Sequence, residues 1–543
     1  MDPQLQKHMH SALLFFVTAI LLLYGLDKID VNIMEARNFI AAREMVQNKE
    51  YLLTTLNNVP RYQKPPLPTW LTAASGVAFG FDSLFALRLP VVVITFLLVY
   101  LFYLYSKRLG LSQTHSVNNA LILITSFYIF YAGRDNQWDM YTHSFMMVSI
   151  YFTLRLLQED SASLRNSVLA GLFFGFSILS KGPVSLYALF LPFIISYAII
   201  YRKSFRGKGF YLLTMLLAGL IIGLSWYVYV RLKDPESFRT IVSRETTNWT
   251  SYELRPFYYY WSFFIQSGLW AIASFISLLY PYLKSRVINL KVYRFALLWT
   301  VISLLLLSII PEKKTRYLVP VLIPLALTTG FYTEYLFLKF NESMGKRENI
   351  SVFFAFGIFA LIAILYPFAW LIFLWDQLPR HFLLFLFSSA AMIGFAFLIV
   401  QGLVRKSFGK VFYSMIGIFI VIVISLIPVY KEIVFNPHYA STQKARLLER
   451  QYDIKTYNLN YIAPEIIWDY GKAIPFIEQK DSLVVLPKER VFGLMVELKD
   501  SVVIKKQFPG YRIEKIYRIN LHYKNKKKER LMKDYYILSR QPL

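Results

Sequence analysis

Residues 84–106 read LFALRLPVVVITFLLVYLFYLYS. These 23 positions hold one charged side chain, Arg88. A helix rises about 1.5 Å per residue, so about 20 apolar residues cross the ~30 Å hydrocarbon core of a bilayer. The stretch is long enough to span. By the same criterion similar stretches recur near 11–27, 116–133, 140–158, 165–181, 183–201, 210–231, 258–283, 294–311, 317–338, 351–375, 381–403 and 413–431, giving about thirteen spans. The fifth and sixth are separated by a tight turn at Lys181-Gly182-Pro183. An all-α polytopic membrane protein is expected. Ser11 to Leu26 reads as a retained first span, because no small-residue cleavage site follows it.

Composition agrees. The 543-residue chain is 56% hydrophobic and 17% charged, against about 25% charged in soluble domains. Its net charge of +26 sits in loops between spans, which argues for a bilayer partner and against nucleic acid. Lys/Arg bias puts the N-terminus in the cytoplasm, with inner loops at 106–108, 201–208, 284–294, 339–347 and 404–406. The opposite face then carries 28–82, 133–139, Lys181, 233–255, 312–316 and the C-terminus. That face holds most of the acids of interest and is read as the active one, with the surplus cations pointing to anionic lipid or phosphate. The chain has no cysteine, which excludes disulfides, iron–sulfur clusters and thiolate zinc sites. None of the seven histidines pairs with another at metal-ligand spacing. No cofactor is called for; a divalent metal is compatible with the chain but not indicated.

The domain expectation is a transmembrane domain over 1–434, including an outer juxtamembrane loop at 28–82, and a small α/β domain over 435–543. In the loop, Asn32 to Asn48 and Pro68 to Gly80 read as two helices lying along the membrane interface, joined by an extended link fixed by Pro60 and Pro65-Pro66. Beyond 434, Leu483–Leu486, Val502–Ile504, Tyr511–Leu521 and Tyr535–Leu538 read as strands and Ala463 to Ile474 as a helix. Lys524-Asn525-Lys526-Lys527-Lys528 reads as a solvated loop.

Candidate chemistry gathers in the outer loops. Glu35 fits a capping box with Asn32 and equally a general base for an acceptor hydroxyl; Asp30 is close enough to share that role. Asp139 sits at the outer end of the fourth span, where a carboxylate is costly unless paired or functional; Arg134 is the expected structural partner. Lys64, between Tyr62 and Pro65 and near Arg61, suits either a snorkelling anchor or a phosphate grip. Glu312-Lys313-Lys314-Thr315-Arg316-Tyr317 places three cations on the non-cytoplasmic side against the usual bias, as an anionic ligand would require. Arg244 suits bidentate phosphate contact, although Glu245 beside it can neutralise it.

The ordered set Met34-Glu35-Ala36-Arg37, Arg61-Tyr62-Gln63-Lys64-Pro65-Pro66, Arg88-Leu89-Pro90, Asp139-Met140, Ser180-Lys181-Gly182, Ser225-Trp226-Tyr227, Pro256-Phe257-Tyr258-Tyr259 and Lys314-Thr315-Arg316-Tyr317-Leu318-Val319-Pro320 resembles the bacterial lipid-linked-sugar glycosyltransferases of the aminoarabinose transferase type, within the protein O-mannosyltransferase-like superfamily. The resemblance covers roughly residues 10–430. It implies a GT-C fold, an inner-membrane enzyme with a periplasmic site, and an undecaprenyl-phosphate-linked sugar as donor, with a lipid (lipid A), protein or envelope-glycan acceptor. It implies that a first-loop acid acts at the acceptor, here Glu35 or Asp30, and that Asp139 is a second essential acid. Lys64 and Arg244 would bind the donor phosphate, with Lys313, Lys314 and Arg316 adding to the field, and Tyr317 would line the donor site. Arg37, Arg61, Tyr62 and Lys181 are supporting candidates. Met34 stands where the family commonly has Asp, and Gln63 where it often has a glutamate that is sometimes a metal ligand. Glu35→Gln and Asp139→Asn are expected to abolish transfer while leaving expression intact. The rival reading is a transporter or flippase of lipid-linked glycan, which would place polar groups nearer the bilayer midplane.

Overall fold

The computed structural model describes residues 3–159, 163–342, 344–434, 436–477, 479–480, 483–502, 504–523 and 529–540. The chain divides into two compact units: Met1–Asp27, Tyr62–Leu71 and Asp82–Pro428 form the first, and Lys28–Arg61, Thr72–Phe81 and Val429–Leu543 the second. The division therefore differs from a single cut near residue 434, because most of the first long loop packs with the C-terminal segment.

Among the described residues, eight helices are long and apolar enough to cross a membrane: Leu84–Arg108, Ser163–Lys181, Gly209–Lys233, Leu290–Ile309, Thr315–Lys339, Lys346–Phe373, Phe382–Val404 and Phe408–Ile433. Met9–Leu23 and Leu186–Ile200 are shorter apolar helices. Two expected spans are broken. The one near 116–133 divides at the extended residue Ser126 into Gln113–Thr125 and Phe127–Ala132. The one near 258–283 is four short pieces, Phe257–Tyr260, Phe263–Ser267, Ala271–Ser277 and Tyr280–Leu283. Gly268 ends the second piece with φ +58°, and a Cβ there would lie 2.7 Å from Phe127 Cβ, so the break and the close approach need the same residue.

The Ser163–Lys181 helix packs on Trp138–Gln158 and on Gly209–Lys233. The second contact is a reciprocal small-residue seam. A Cβ on Gly175 would lie 2.6 Å from Ile222 Cβ, and one on Gly219 would lie 2.5 Å from the Phe174 ring. Such spacing lets two backbones approach closely where burial of apolar surface drives little. At the end of the first helix, Arg88 donates to Leu26 O at 2.7 Å, and Arg134 donates to Leu21 O at 2.6 Å and Tyr24 O at 2.7 Å. Two buried guanidiniums thus satisfy carbonyls that a helix end leaves open.

In the second unit, four strands pair in the order Lys455–Asn458, Val491–Val496, Met532–Arg540 and Tyr511–Asn520. The first pair is parallel and the others antiparallel. Val491–Val496 is central: Phe492, Leu494 and Val496 face one buried cluster, and Met495 faces another that includes Ile40, Ile466, Ile467 and Tyr535. The helix Ile33–Gln47 supplies Ile40. Phe39 lies 5.2 Å from the Trp468 ring, and the Arg43 guanidinium is 5.7 Å from the same ring. The helix is buried against other elements of the protein along most of its length. Trp468 belongs to the helix Pro464–Tyr470, which Gly471 ends at φ +85°.

Next in the chain, Thr55–Leu56 pairs with Val59–Pro60 across Asn57 and Asn58, both at positive φ, as a tight hairpin requires. Asn57 is held at 2.7 Å in both directions by the backbone of Ile474. Val502 lies in a helical turn, Asp500–Val502, and Ile504–Gln507 is a short helix, which replaces the strand expected there. Val503 and the lysine run 524–528 lie outside the described residues.

Candidate functional site

Within the first unit, Asp139 opens the helix Trp138–Gln158 and Lys181 closes Ser163–Lys181. The two form a buried ion pair, with side chains 2% and 5% exposed respectively. Gly182, at φ +81°, turns the chain directly after Lys181, which ends the helix with the ammonium aimed at Asp139. The second carboxylate oxygen of Asp139, Oδ2, is buried without a hydrogen-bond partner among the described residues.

Tyr317 joins this pair to a second set of charges. Lys181 Nζ is 5.1 Å from the Tyr317 ring centre, Lys314 Nζ 5.8 Å and the Arg316 guanidinium 5.7 Å. Three cations therefore surround one ring, an arrangement the negative ring face favours. Arg316 also interacts electrostatically with Asp139, and its Nε is buried without a partner among the described residues. Lys314 pairs with Glu312, and Tyr317 donates to Glu312 Oε1 at 3.2 Å. The result is a cluster of opposed charges that can receive an anionic group beside a fixed carboxylate.

Not every candidate joins it. Lys313 is 2% exposed and donates to Ile310 O at 2.5 Å and Arg255 O at 3.1 Å. Burial lowers its pKa. Its ammonium braces the backbone, which removes it from the phosphate ligands expected above. Arg134 is committed to the first helix, so Lys181 and not Arg134 is the partner of Asp139. Arg244 is exposed on the helix Pro235–Ser251; the expected outer loop is helical here because Asp234 accepts from Ser237 N at 3.2 Å and Pro235 follows at the first turn. Tyr62 donates to Asp234 Oδ2 at 2.8 Å and stands edge-on to Trp226. Burial opposes the charge of Asp234, but hydrogen bonds from Tyr62 and Ser237 outweigh it and hold the carboxyl below its ordinary range. Lys64 is half-buried between buried Tyr62 and buried Pro65-Pro66, so its backbone is fixed.

Glu35, Asp30, Arg37 and Arg61 belong to the second unit. Glu35 is 1% exposed. Asn32 Oδ1 accepts from Met34 N at 2.8 Å and Glu35 N at 3.3 Å, and Asn32 Nδ2 donates to Glu35 Oε2 at 3.4 Å. Asn32 thus caps the helix, and Glu35 receives the Asn32 side-chain amide. Asp30 lies 3.7 Å from Lys431 Nζ, Arg37 reaches Met34 Sδ at 3.8 Å, and Arg61 is buried, with its N–H on Thr54 O at 2.9 Å.

The sequence presents Glu312 only as part of the 312–317 cluster, and Tyr128 and His143 stand beside Asp139 without a motif to mark them. Tyr128 interacts electrostatically with Asp139 and Arg316. His143, one turn beyond Asp139, has Nδ1 3.0 Å from Ser185 Oγ; the i, i+4 spacing from Asp139 was its visible signal. Among the described residues no group of three or more His, Asp or Glu side chains is placed to hold a metal.

A family model described as dolichyl-phosphate-mannose-protein mannosyltransferase matches residues 63–227. The crystal structure of ArnT from Cupriavidus metallidurans bound to undecaprenyl phosphate superposes with a TM-score of 0.73 at 18% identity, over 97% of both chains. The chain has the fold of ArnT. Its apo form superposes at 0.72 and 17% identity, again over 97% of both chains. In sequence, the chain is 25% identical over 345 residues to the undecaprenyl phosphate-alpha-4-amino-4-deoxy-L-arabinose arabinosyl transferase 1 of Proteus mirabilis (strain HI4320), covering 61% of this chain and 60% of that protein. It is 24% identical over 343 residues to the protein of the same description from Pseudomonas fluorescens (strain Pf0-1), covering 61% and 58%. The chain thus aligns with about three fifths of the length of these curated relatives. The GT-C resemblance drawn from the ordered motifs holds, and the small C-terminal sheet unit accompanies it.

Proposed function

We propose that this chain is an integral membrane glycosyltransferase that moves a sugar from a polyprenyl-phosphate carrier, with undecaprenyl phosphate as the carrier, to an acceptor on the periplasmic face of a bacterial inner membrane. The observation that carries the reading is the buried Asp139–Lys181 pair beneath Tyr317, with Arg316 and Lys314 around the same ring. Cleaving a sugar–phosphate bond pushes negative charge onto the leaving phosphate, and cations preset in a site that excludes water stabilise that charge with no reorganisation at the moment of reaction. Lys181, Arg316 and Lys314 supply that field, and Lys64 and Arg244 belong to the same reading as further phosphate ligands. Attack from the opposite face of the sugar gives inversion. A carboxylate that takes the acceptor proton contributes about 10²–10⁴-fold; Glu35 and Asp30 are the candidates that the resemblance offers for that role. The acceptor is a hydroxyl or phosphate of lipid A, a protein or an envelope glycan, and the pentose donors named for the relatives make an aminopentose the first sugar to try. A flippase is disfavoured, since these charges sit at helix ends and not on helices broken at the midplane.

The test is radiolabelled undecaprenyl-phosphate sugar presented to the purified protein with the lipids, proteins and glycans of a whole envelope extract as acceptors. An enzyme liberates undecaprenyl phosphate and labels the acceptor, and Lys181→Met removes both products. Intact donor after incubation with a folded protein that binds undecaprenyl phosphate would remove the transferase reading.

A further inference from the structure

Glu312 has no part in the reading above, yet it touches Lys314, which that reading gives to the donor phosphate, and Tyr317, around which the cations gather. Residues 310–314 are held as an extended segment. Leu254 and Glu312 form an antiparallel bridge, Arg255 N donates to Pro311 O at 3.2 Å, and Lys313 N donates to Glu253 O at 3.1 Å. Alternation along an extended segment sends Glu312 and Lys314 to one side and Lys313 to the other, where its ammonium is bound by backbone carbonyls. Tyr260 then fixes Lys314 from both ends of its peptide: its hydroxyl accepts from Lys314 N at 2.9 Å and donates to Lys314 O at 3.0 Å. The Lys314 ammonium lies 4.7 Å from the Tyr252 ring centre and 5.8 Å from that of Tyr317, and its charge partner is Glu312. The same Glu312 oxygen accepts from the Tyr317 hydroxyl. The Glu312 side chain is 12% exposed and that of Lys314 24%, so solvent screens the pair only in part.

We infer that Glu312 is a built-in stand-in for the lipid phosphate: its carboxylate occupies the Lys314 ammonium and the Tyr317 hydroxyl, and the phosphate displaces it on binding. The inference rests on the proposed function for the identity of the ligand. Charge supports it. Lys181, Lys314 and Arg316 face Asp139 and Glu312, so the cluster carries one net positive charge as it stands, less than a phosphate monoester of about −1.5 to −2 calls for. A phosphate arriving without displacing Glu312 would meet a like charge within the reach of the same lysine, which is unfavourable in a partly buried site. Displacement makes the exchange one anion for another. The returning carboxylate then helps expel the product, whose monoester phosphate carries a charge of about −1.5 to −2. Glu312 is a positioning residue in this scheme, since it acts through Lys314 and Tyr317.

The experiment measures binding of undecaprenyl phosphate, and of undecaprenol as the uncharged control, to the full chain in detergent micelles. Glu312→Gln is expected to tighten undecaprenyl phosphate about tenfold, ~1.4 kcal/mol, and to leave undecaprenol unchanged. In a Lys314→Met background the same substitution should yield a smaller gain. In turnover, KM for the donor falls and kcat falls with it, the pattern of a ligand held too well; a merely structural role would raise KM or leave it unmoved. Should Glu312→Gln not fold, Glu312→Asp shortens the reach by one methylene and is expected to tighten phosphate binding by less. Wild-type binding with no tightening in the variant that folds overturns the inference and leaves the donor reading in place. No binding of undecaprenyl phosphate by the wild type overturns both.

Discussion

Asp139 and Lys181 are each buried, 42 residues apart in sequence, and each is the other's charge partner. Removing one side of such a pair leaves an uncompensated buried charge, which costs about 3–5 kcal/mol. Asp139→Asn is therefore expected to lower thermal stability in detergent as well as to stop transfer, where the motif alone suggests loss of transfer with the protein intact. The double variant Asp139→Asn/Lys181→Met should recover most of the stability and none of the transfer, because it removes the buried charge without restoring the carboxylate. Recovery of transfer in the double variant would reduce the pair to packing. The acid was legible in the sequence because a carboxylate at the start of an apolar helix is conspicuous. Its partner was not: Arg134 is nearer along the chain, and only the packed helices show that Arg134 serves the first helix while Lys181 comes from the end of another. Lys313 illustrates the same blindness, since three neighbouring cations read alike until their directions are known.

Between elements, the seam of Gly171, Gly175, Gly219 and Gly223 decides where the end of Ser163–Lys181, and so the Lys181 ammonium, sits. Gly175→Leu inserts a side chain where even a Cβ meets Ile222 at 2.6 Å. Overpacking of this kind costs about 1–3 kcal/mol, to be read as a fall in the unfolding temperature of the purified protein, with activity falling alongside as Lys181 is displaced; an unchanged melting curve would show that the seam gives way freely. Most long apolar helices were legible from composition, because hydrocarbon-spanning length leaves little else for such residues to do. The region 258–283 was not, because its breaks depend on the positive φ of Gly268 and on Phe127 lying against it. The helix Pro235–Ser251 had a readable start in Asp234-Pro235-Glu236, which the expectation of a loop between two spans passed over.

At the scale of the molecule, the second unit is assembled from three segments of chain. Its core joins Ile40 to Ile466, Ile467 and Tyr535, and Asn57 is tied to Ile474. Truncation after residue 434 is thus expected to do more than remove an appendage. It strips the helix Ile33–Gln47 of its packing partners, so residues 28–61 should become cleavable by protease added to the purified protein while the span-rich unit stays intact. Equal protection of 28–61 in the truncated and full chains would show that the loop holds its structure alone.

Composition by itself determined that this chain is a multi-pass helical membrane protein, since long apolar runs have no other low-energy place for their side chains. The order of short motifs determined its GT-C resemblance. Only the tertiary structure decided which charges meet. Ion pairing depends on distances of a few ångströms between side chains from different helices, and those distances follow from close-packed seams and positive-φ turns that no local stretch of residues encodes. That is why Asp139 was visible as a candidate while Lys181 as its partner, Lys313 as a brace and Glu312 as the carboxylate shared by Lys314 and Tyr317 emerged only once the helices were packed.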